Sequence, residues 1–372
     1  MAKTPRGFTV MEYDREVIDK FINKPAVCEV ANLVIEQIHS GRRAQYYDEQ
    51  ENDLKFVWSM KKTFSAEAML APNGNHVISM SYQSAIDIYE DAFVFTLLCD
   101  RTFTEPVFDP IFALLSYGNA RSDVIPRGMT PEDAKIEIIR LMTGWVYLHE
   151  LGHLLQRHNE VASEIGLSHA MGGSNRVVDK PDDYPNLAGR AASLRHAFEF
   201  SADYEALSWI LMTEAAKPSG ISAAKLWCLS AGLMCMFCRF YGESSRTLDD
   251  IPRGTHPHPA LRMRMAINKV LHLLENHSEI RDSSPEIADL AKAKAVMDHA
   301  LYATDMYYHI RYLGLEAKGP LLDTVDPRNV ITPEAYRLSL YNTWQEVRSD
   351  IVTGHLGYGE PMVLPSFAIA RL

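Results

Sequence analysis

The sequence has few cysteines, no excess of positive charge and no long uninterrupted hydrophobic run. Its five cysteines in 372 residues are too few, and odd in number, for a disulfide framework. Such usage is typical of proteins in a reducing compartment. The net charge of −11 argues against a nucleic-acid partner held by phosphate contacts, and no local basic patch offsets it. We therefore expect no nucleic-acid binding.

Signals for export and membrane insertion are also missing. The N-terminal segment 1–20 has no apolar core of the kind found in signal peptides. The longest apolar run, Leu226–Cys238, has 13 residues, well short of the ~20 that span a bilayer. We interpret this run, with its three cysteines Cys228, Cys235 and Cys238, as a buried helix. The sequence thus predicts a cytoplasmic protein without a membrane partner.

Composition and periodicity together predict an α+β protein that is mainly helical. Charged residues make up 23% and hydrophobic residues 47% of the chain, close to average globular usage. Residues 1–129 mix helix and strand patterns, with short strands expected at "LKFVWSM" and "HVISMS". Residues 130–372 have helical patterns, apart from an irregular connection predicted over 159–192. Because no clear linker separates these two parts, we expect one catalytic domain.

The strongest helix start lies at Thr130. Its side chain can cap a helix, and Pro131 suits the first turn. Apolar residues then recur at three- and four-residue steps, which predicts a buried face made by Ile136, Ile139, Met142 and Val146. The same face continues into "HELGH", residues 149–153.

The "HELGH" segment has the spacing of a zinc site. His149 and His153 lie one turn apart on one helix face, so two ring nitrogens can reach a single tetrahedral ion. Glu150 lies about 100° around the helix, where a carboxylate can accept a proton from water beside the metal. The pattern also occurs by chance on ordinary buried helices. A zinc site therefore requires a third protein ligand from another element.

Two candidates for that ligand differ in spacing. His158 follows His153 by five residues, whereas the known three-histidine pattern has six with a glycine at the third position. We interpret His158 as a residue that complements the negative end of the helix. Glu199 and Asp203 stand four residues apart on a later helix, so both carboxylates project from one face. Glu199 is the predicted third ligand, and Asp203 is predicted to accept the free N–H of a ligand histidine.

These motifs carry a family resemblance. "HELGH" followed by Glu-x-x-Ala-Asp over 199–203 resembles the gluzincin metallopeptidases, in particular the HtpX-like group, and the layout is similar to soluble Lit-type phage-exclusion peptidases. The resemblance implies a zincin-like fold, with a small N-terminal sheet packed on the active-site helix and zinc bound by the helical part. It also implies that a His-Pro motif and an Arg six residues later reach the site. Both His256 with Arg262 and His258 with Arg264 fit that offset, so the register stays open.

The resemblance implies a zinc metalloendopeptidase. Zn²⁺ would be held by His149, His153 and Glu199, with Glu150 as general base and His256 or Arg262 near the developing oxyanion. We expect a protein or peptide substrate that pairs with the strand "HVISMS" under a lid formed by 159–192. The alternative is a zinc-stabilised interaction protein of the same fold without turnover, although a purely structural site needs no base. The oligomeric state and the substrate's identity stay open.

Overall fold

Helices account for most of the described chain. The computed structural model describes residues 23–47, 53–106, 124–167, 176–179, 187–241, 248–308, 310–311, 332–357, 359, 361–370 and 372, with only the backbone for 176–179 and 241. The helices are α1 (Lys24–Tyr46), α2 (Tyr82–Arg101), α3 (Pro131–Leu155), α4 (His158–Glu164), α5 (Gly189–Ala215), α6 (Ala223–Tyr241), α7 (Pro259–Asn276), α8 (Ser278–Asp282), α9 (Leu290–Tyr308), α10 (Glu334–Gly354) and α11 (Ser366–Ala370). The α+β, mainly helical prediction is confirmed at this level.

A small mixed sheet lies beside α3. Its strands are β1 (Leu54–Ser59), β2 (Ala66–Leu70), β3 (His76–Ser81) and β4 (Arg176–Asp179), in the order β1-β3-β2-β4. β3 runs parallel to β1 and antiparallel to β2, and β4 is antiparallel to β2. The expectation that "HVISMS" offers a free edge to a substrate is wrong, because β3 is paired on both sides.

The segment 159–192 is more regular than its composition suggests. It contains most of α4 and the edge strand β4, whereas we predicted an irregular connection. Much of this segment, which is also the predicted lid, lies outside the described residues. β4 follows residue 130 in the chain but joins strands that precede it, so the sheet combines both predicted parts.

Helix α3 begins as the sequence predicts. The Thr130 hydroxyl accepts a hydrogen bond from the Asp133 amide at 3.1 Å, and the Asp133 carboxylate accepts one from the Thr130 amide. This reciprocal cap satisfies two backbone donors at the start of the helix. The predicted buried stripe is wrong at Ile136, which is 51% exposed, whereas Ile139, Met142 and Val146 are buried. From Leu141 to its end the helix is buried on every side.

Helix α6 contains the long apolar run. An 18-residue window over Ala223–Phe240 is apolar enough to cross a membrane by length and composition alone, but 72% of it is buried inside the structure. Cys228, Cys235 and Cys238 are buried and form no disulfide, which agrees with the buried helix predicted for this run. Helix α6 packs against α3, α7 and α9.

Helices α3 and α5 cross at the centre of the molecule. Gly152 of α3 faces the backbone of Ala202 on α5, and an added Cβ at Gly152 would lie 3.3 Å from the Ala202 Cα. Glycine therefore permits the close approach of the two helices at the point where both carry polar side chains inward. Buried apolar residues from both predicted parts of the chain surround this crossing in one continuous core.

Candidate metal centre

The helix crossing brings together three groups that can hold a metal ion. His149 and His153 from α3 and Glu199 from α5 are buried, and their ligand atoms all lie within 4.8 Å of one another. The two Nε2 atoms are 3.1 Å apart. Glu199 places Oε2 3.4 Å from Nε2 of His149 and Oε1 3.7 Å from Nε2 of His153. We call these three residues the metal centre.

The donor atoms of the metal centre lie close enough together to surround one small ion. Ligand bonds of about 2.0 to 2.2 Å at tetrahedral angles separate donor atoms by about 3.3 to 3.6 Å. The two histidine nitrogens, 3.1 Å apart, and the 3.4 Å contact of Glu199 Oε2 with His149 lie close to that range, whereas the 3.7 Å contact with His153 is made by the other oxygen, Oε1. Glu199 is only 1% exposed, and neither of its carboxylate oxygens makes a hydrogen bond within the described residues. A buried carboxylate in this state fits the position of a metal ligand.

Asp203 contacts the ring nitrogen of His149 that points away from the metal centre. Its Oδ1 lies 2.9 Å from Nδ1 of His149, on the side of the ring opposite the metal centre. Arg262 holds the carboxylate with two hydrogen bonds of 2.8 Å, donated from Nε and Nη2. Burial tends to lower the pKa of His149, but its contacts with Asp203 and Glu199 outweigh burial and raise that pKa to about 10. Asp203 thus fixes the orientation of the ring.

His158 supports the second ligand in the same way. Its Nδ1 lies 2.7 Å from Nδ1 of His153, and its ring stacks on Phe198 at 4.1 Å. The interpretation of His158 as a helix-end residue is wrong: it is buried at the start of α4. Arg157, with a φ of 53°, adopts a left-handed conformation that turns the chain between α3 and α4 and returns His158 toward His153. Burial, as the main cause, lowers the pKa of both histidines well below the ordinary value.

A chain of buried hydrogen bonds continues from His158. If Nε2 of His153 is a ligand, its Nδ1 carries the proton and donates to Nδ1 of His158. Nε2–H of His158 then donates to Oε1 of Gln156 at 3.1 Å, and Nε2 of Gln156 donates to Glu205 at 2.8 Å. His355, beyond α10, lies 3.3 Å from the same carboxylate. Each donor meets an acceptor, so the chain defines the tautomers of both histidines.

Glu150 is fully buried on α3. It follows His149 in the chain and has 0% exposure. This succession places its carboxylate about 100° around the helix from His149. The structure therefore buries the acid that the sequence predicts as the general base.

Two basic side chains, Arg195 and His256, also lie close to the Glu199 carboxylate. Nη2 of Arg195 is 3.3 Å from Oε1 of Glu199, and Nε2 of His256 is 3.8 Å from Oε2. Burial tends to raise the pKa of Glu199, but His256, Arg195 and His149 outweigh it and hold that pKa well below the ordinary value. Arg195 precedes Glu199 by one helical turn, and this spacing was the only sequence signal for it.

The structure separates the two registers of the His-Pro motif. His256 and Arg262 lie at the site, through Glu199 and Asp203 respectively. His258 instead caps α7, where its Nδ1 accepts a hydrogen bond from the Ala260 amide. The structure therefore brings together six of the predicted site residues, His149, His153, Glu199, Asp203, His256 and Arg262. The supporting roles of His158, Gln156 and Arg195 were not predicted.

Comparisons with known proteins identify no relative of this chain. No protein-family model matches the chain, and neither the curated proteins nor the solved structures give a significant match.

Proposed function

We propose that this chain is a zinc-dependent peptidase of the gluzincin type with a zincin-like fold. The observation that carries the proposal is the buried cluster of His149, His153 and Glu199, whose ligand atoms all lie within 4.8 Å of one another, with the buried acid Glu150 next to His149 in the chain. Two imidazoles and one carboxylate form a common ligand set of hydrolytic zinc sites, which leave one position open.

The charges around the metal centre are compatible with a bound metal cation. Three buried carboxylates, Glu150, Glu199 and Asp203, face two buried guanidinium groups, Arg195 and Arg262. Without a metal ion, the raised pKa of His149 favours a protonated ring, whose positive charge balances the three carboxylates against the two guanidinium groups. A metal ion would supply that positive charge instead, and the two imidazoles, then neutral, could bind it while keeping their contacts with Asp203 and His158.

Each residue near the metal centre would then have its own role in peptide hydrolysis. Bound zinc would polarise a scissile carbonyl and lower the pKa of a water molecule. Glu150 would accept a proton from that water and deliver it to the leaving amine. His256 would donate toward the developing oxyanion. Because Arg262 is committed to Asp203 by two hydrogen bonds, we assign it the role of holding Asp203 rather than of contacting the substrate.

One observation favours a second candidate, a zinc-stabilised interaction protein without turnover. Glu150 has 0% exposure and His149 has 1%, so a substrate cannot reach them in this conformation. A structural zinc site is closed in this way. The peptidase proposal therefore requires an opening that exposes the metal centre.

Metal analysis and two variants separate these candidates. We expect about one zinc per chain in the purified protein, and loss of zinc in His149→Ala. Glu150→Gln should keep the metal and lose at least ~100-fold of peptide cleavage, because the base is removed. Glu164→Gln, on the exposed face of α4, is the matched control and should keep both.

Each possible result of these measurements bears on a different part of the proposal. Zinc binding without cleavage of a peptide library by the parent protein would support the structural candidate. Equal cleavage by the parent protein and Glu150→Gln would refute the assigned base. Unchanged metal content in His149→Ala would refute the metal centre itself.

A further inference from the structure

A cavity lies away from the metal centre. It has a volume of about 490 Å³ and is bounded by α5, α7, the beginning of α9 and the short helix α11. None of the residues proposed for zinc binding or catalysis lines it. Its volume is in the range of sites for small organic molecules, about 300 to 1,000 Å³.

The cavity contains a buried lysine without a counter-ion. Lys269 is 2% exposed, and its Nζ lies 3.3 Å from the centroid of the Tyr204 ring. Among the described residues no carboxylate lies within ion-pair distance of this ammonium group, and no acceptor hydrogen-bonds to it. The ring offers about 0.5 to 2 kcal/mol of cation–π attraction, less than the penalty of burying an ammonium group.

The other polar residues of the cavity increase its positive character. Arg264 and Lys294 also line the cavity, and Glu275 is the one acidic residue among its lining residues. Lys294 is paired with Asp298 at 2.5 Å, so Lys269 is the buried basic group that an occupant of the cavity would meet. Burial holds the pKa of Lys269 well below the ordinary value, opposed only by the charge of Glu205. An anion bound beside Lys269 would offset this penalty.

The rest of the wall is mostly apolar, apart from Asn268 and His272. Leu271 and Leu290 line the cavity, and Phe367 of α11 extends it toward solvent, where its side chain is 43% exposed. A ligand that fits must therefore combine one negative group with a hydrocarbon or aromatic body.

We propose that this cavity binds a small amphipathic organic anion, a medium-chain carboxylate, with Lys269 at the carboxylate and Leu271, Leu290 and Phe367 around the apolar part. The ammonium group supplies a charge-assisted hydrogen bond, which is stronger than a neutral one in a partly desolvated site. The site is independent of the metal centre and of the peptidase proposal.

Calorimetric titration of the zinc-loaded full chain with octanoate and 1-octanol tests the site. We expect saturable binding of one octanoate per chain, and at least ~10-fold weaker binding of the neutral alcohol, which lacks the charge. Lys269→Met keeps most of the stem and removes the ammonium group, so octanoate affinity should fall by a similar factor.

Two further variants complete the test. Lys292→Met, on the exposed surface of α9 and outside the cavity, is the matched control and should bind octanoate as the parent does. Ala291→Trp fills the exposed rim of the cavity and should abolish binding, which keeps the test decisive if Lys269→Met does not fold. Absence of saturable octanoate binding, equal affinity for octanol, or full affinity in Lys269→Met or in Ala291→Trp would each overturn the proposal.

Discussion

At the scale of single residues, His158 positions His153 without belonging to the metal centre. Its ring lies between His153 and Gln156, stacked on Phe198, so neither its position nor its tautomer is free to change. Partners that orient a ligand histidine typically contribute 10- to 100-fold to metal affinity. His158 reaches this position because Arg157 adopts a left-handed backbone conformation, which only a minority of non-glycine residues do.

His158→Phe should weaken zinc binding by about 10- to 100-fold, since it keeps the aromatic stack on Phe198 but removes the acceptor for His153. Competition with a chromophoric chelator measures the zinc affinity. His299→Phe is the control, because His299 is a half-buried acceptor, bound to Trp227, that lies outside the metal centre. Equal zinc affinity in His158→Phe and the parent protein would show that His158 does not position the ligand.

Some polar residues of the metal centre and its surroundings could be predicted from the sequence, and others could not. His149, Glu150 and His153 follow from spacing within one helix, and Glu199 with Asp203 follows from a second i, i+4 pair. His158 could not be found in this way, because its position depends on one backbone dihedral at Arg157. Spacing alone did not distinguish Arg195 from any other basic residue one turn before an acid.

At the scale of elements, the crossing of α3 and α5 determines whether Glu199 reaches the histidines. Gly152→Ala would place a Cβ 3.3 Å from the Ala202 Cα, so the helices must separate by a few tenths of an ångström. We expect weaker zinc binding and little or no gain in stability, because strain offsets the better helix propensity of alanine.

Gly41→Ala is the matched control for this substitution. Gly41 is also helical, but its Cβ would meet nothing within 4 Å. It should raise the free energy of unfolding by about 0.5 to 1 kcal/mol in chemical denaturation, without changing zinc affinity. A full propensity gain in Gly152→Ala with unchanged zinc binding would show that the crossing tolerates a methyl group.

A buried acid at the end of α5 gives the fold a pH dependence. Glu214 accepts hydrogen bonds from Lys217, Lys225 and Arg140 at 2.7 to 2.9 Å. Burial tends to raise its pKa, but these three cations outweigh burial and lower the pKa to about 2. Because the folded value lies below the unfolded one, this stability is present above about pH 4.5 and is lost as pH falls toward 2.

Glu214→Gln should therefore destabilise the protein at neutral pH and much less in acid. We expect a loss of about 1 to 2 kcal/mol at pH 7, allowing for solvent screening, and a smaller difference at pH 3. Urea unfolding of both proteins at pH 7 and pH 3 measures this. The same difference at both values would mean that the carboxylate's charge is not responsible.

The elements themselves were predicted well where periodicity is long. The start of α3 and the helical character of α5 and α6 follow from caps and apolar spacing. β4 was missed because its four residues lie among glycines, aspartates and prolines, and a strand this short has no periodicity of its own. The position of β3 inside the sheet depends on pairing between distant segments, which sequence periodicity does not report.

At the scale of the whole molecule, the metal centre connects otherwise separate helices. Glu199 and Asp203 join α5 to α3 and α7, and the chain from His158 to Glu205 extends to His355 after α10. If zinc is bound, its removal takes away the ion that links α3 to α5 at this junction. We expect a chelator to lower the thermal midpoint by roughly 3 to 8 °C, as measured by calorimetry. An unchanged midpoint, with zinc loss verified by metal analysis, would contradict this role.

The burial of the metal centre also has a kinetic consequence. His149, His153 and Glu199 are each at most 2% exposed, so an ion can leave only during a transient separation of the surrounding helices. The rate of zinc release should then equal the frequency of that fluctuation and level off as chelator concentration rises, as amide exchange does when opening is the slow step. The plateau rate would report how often the interior meets solvent.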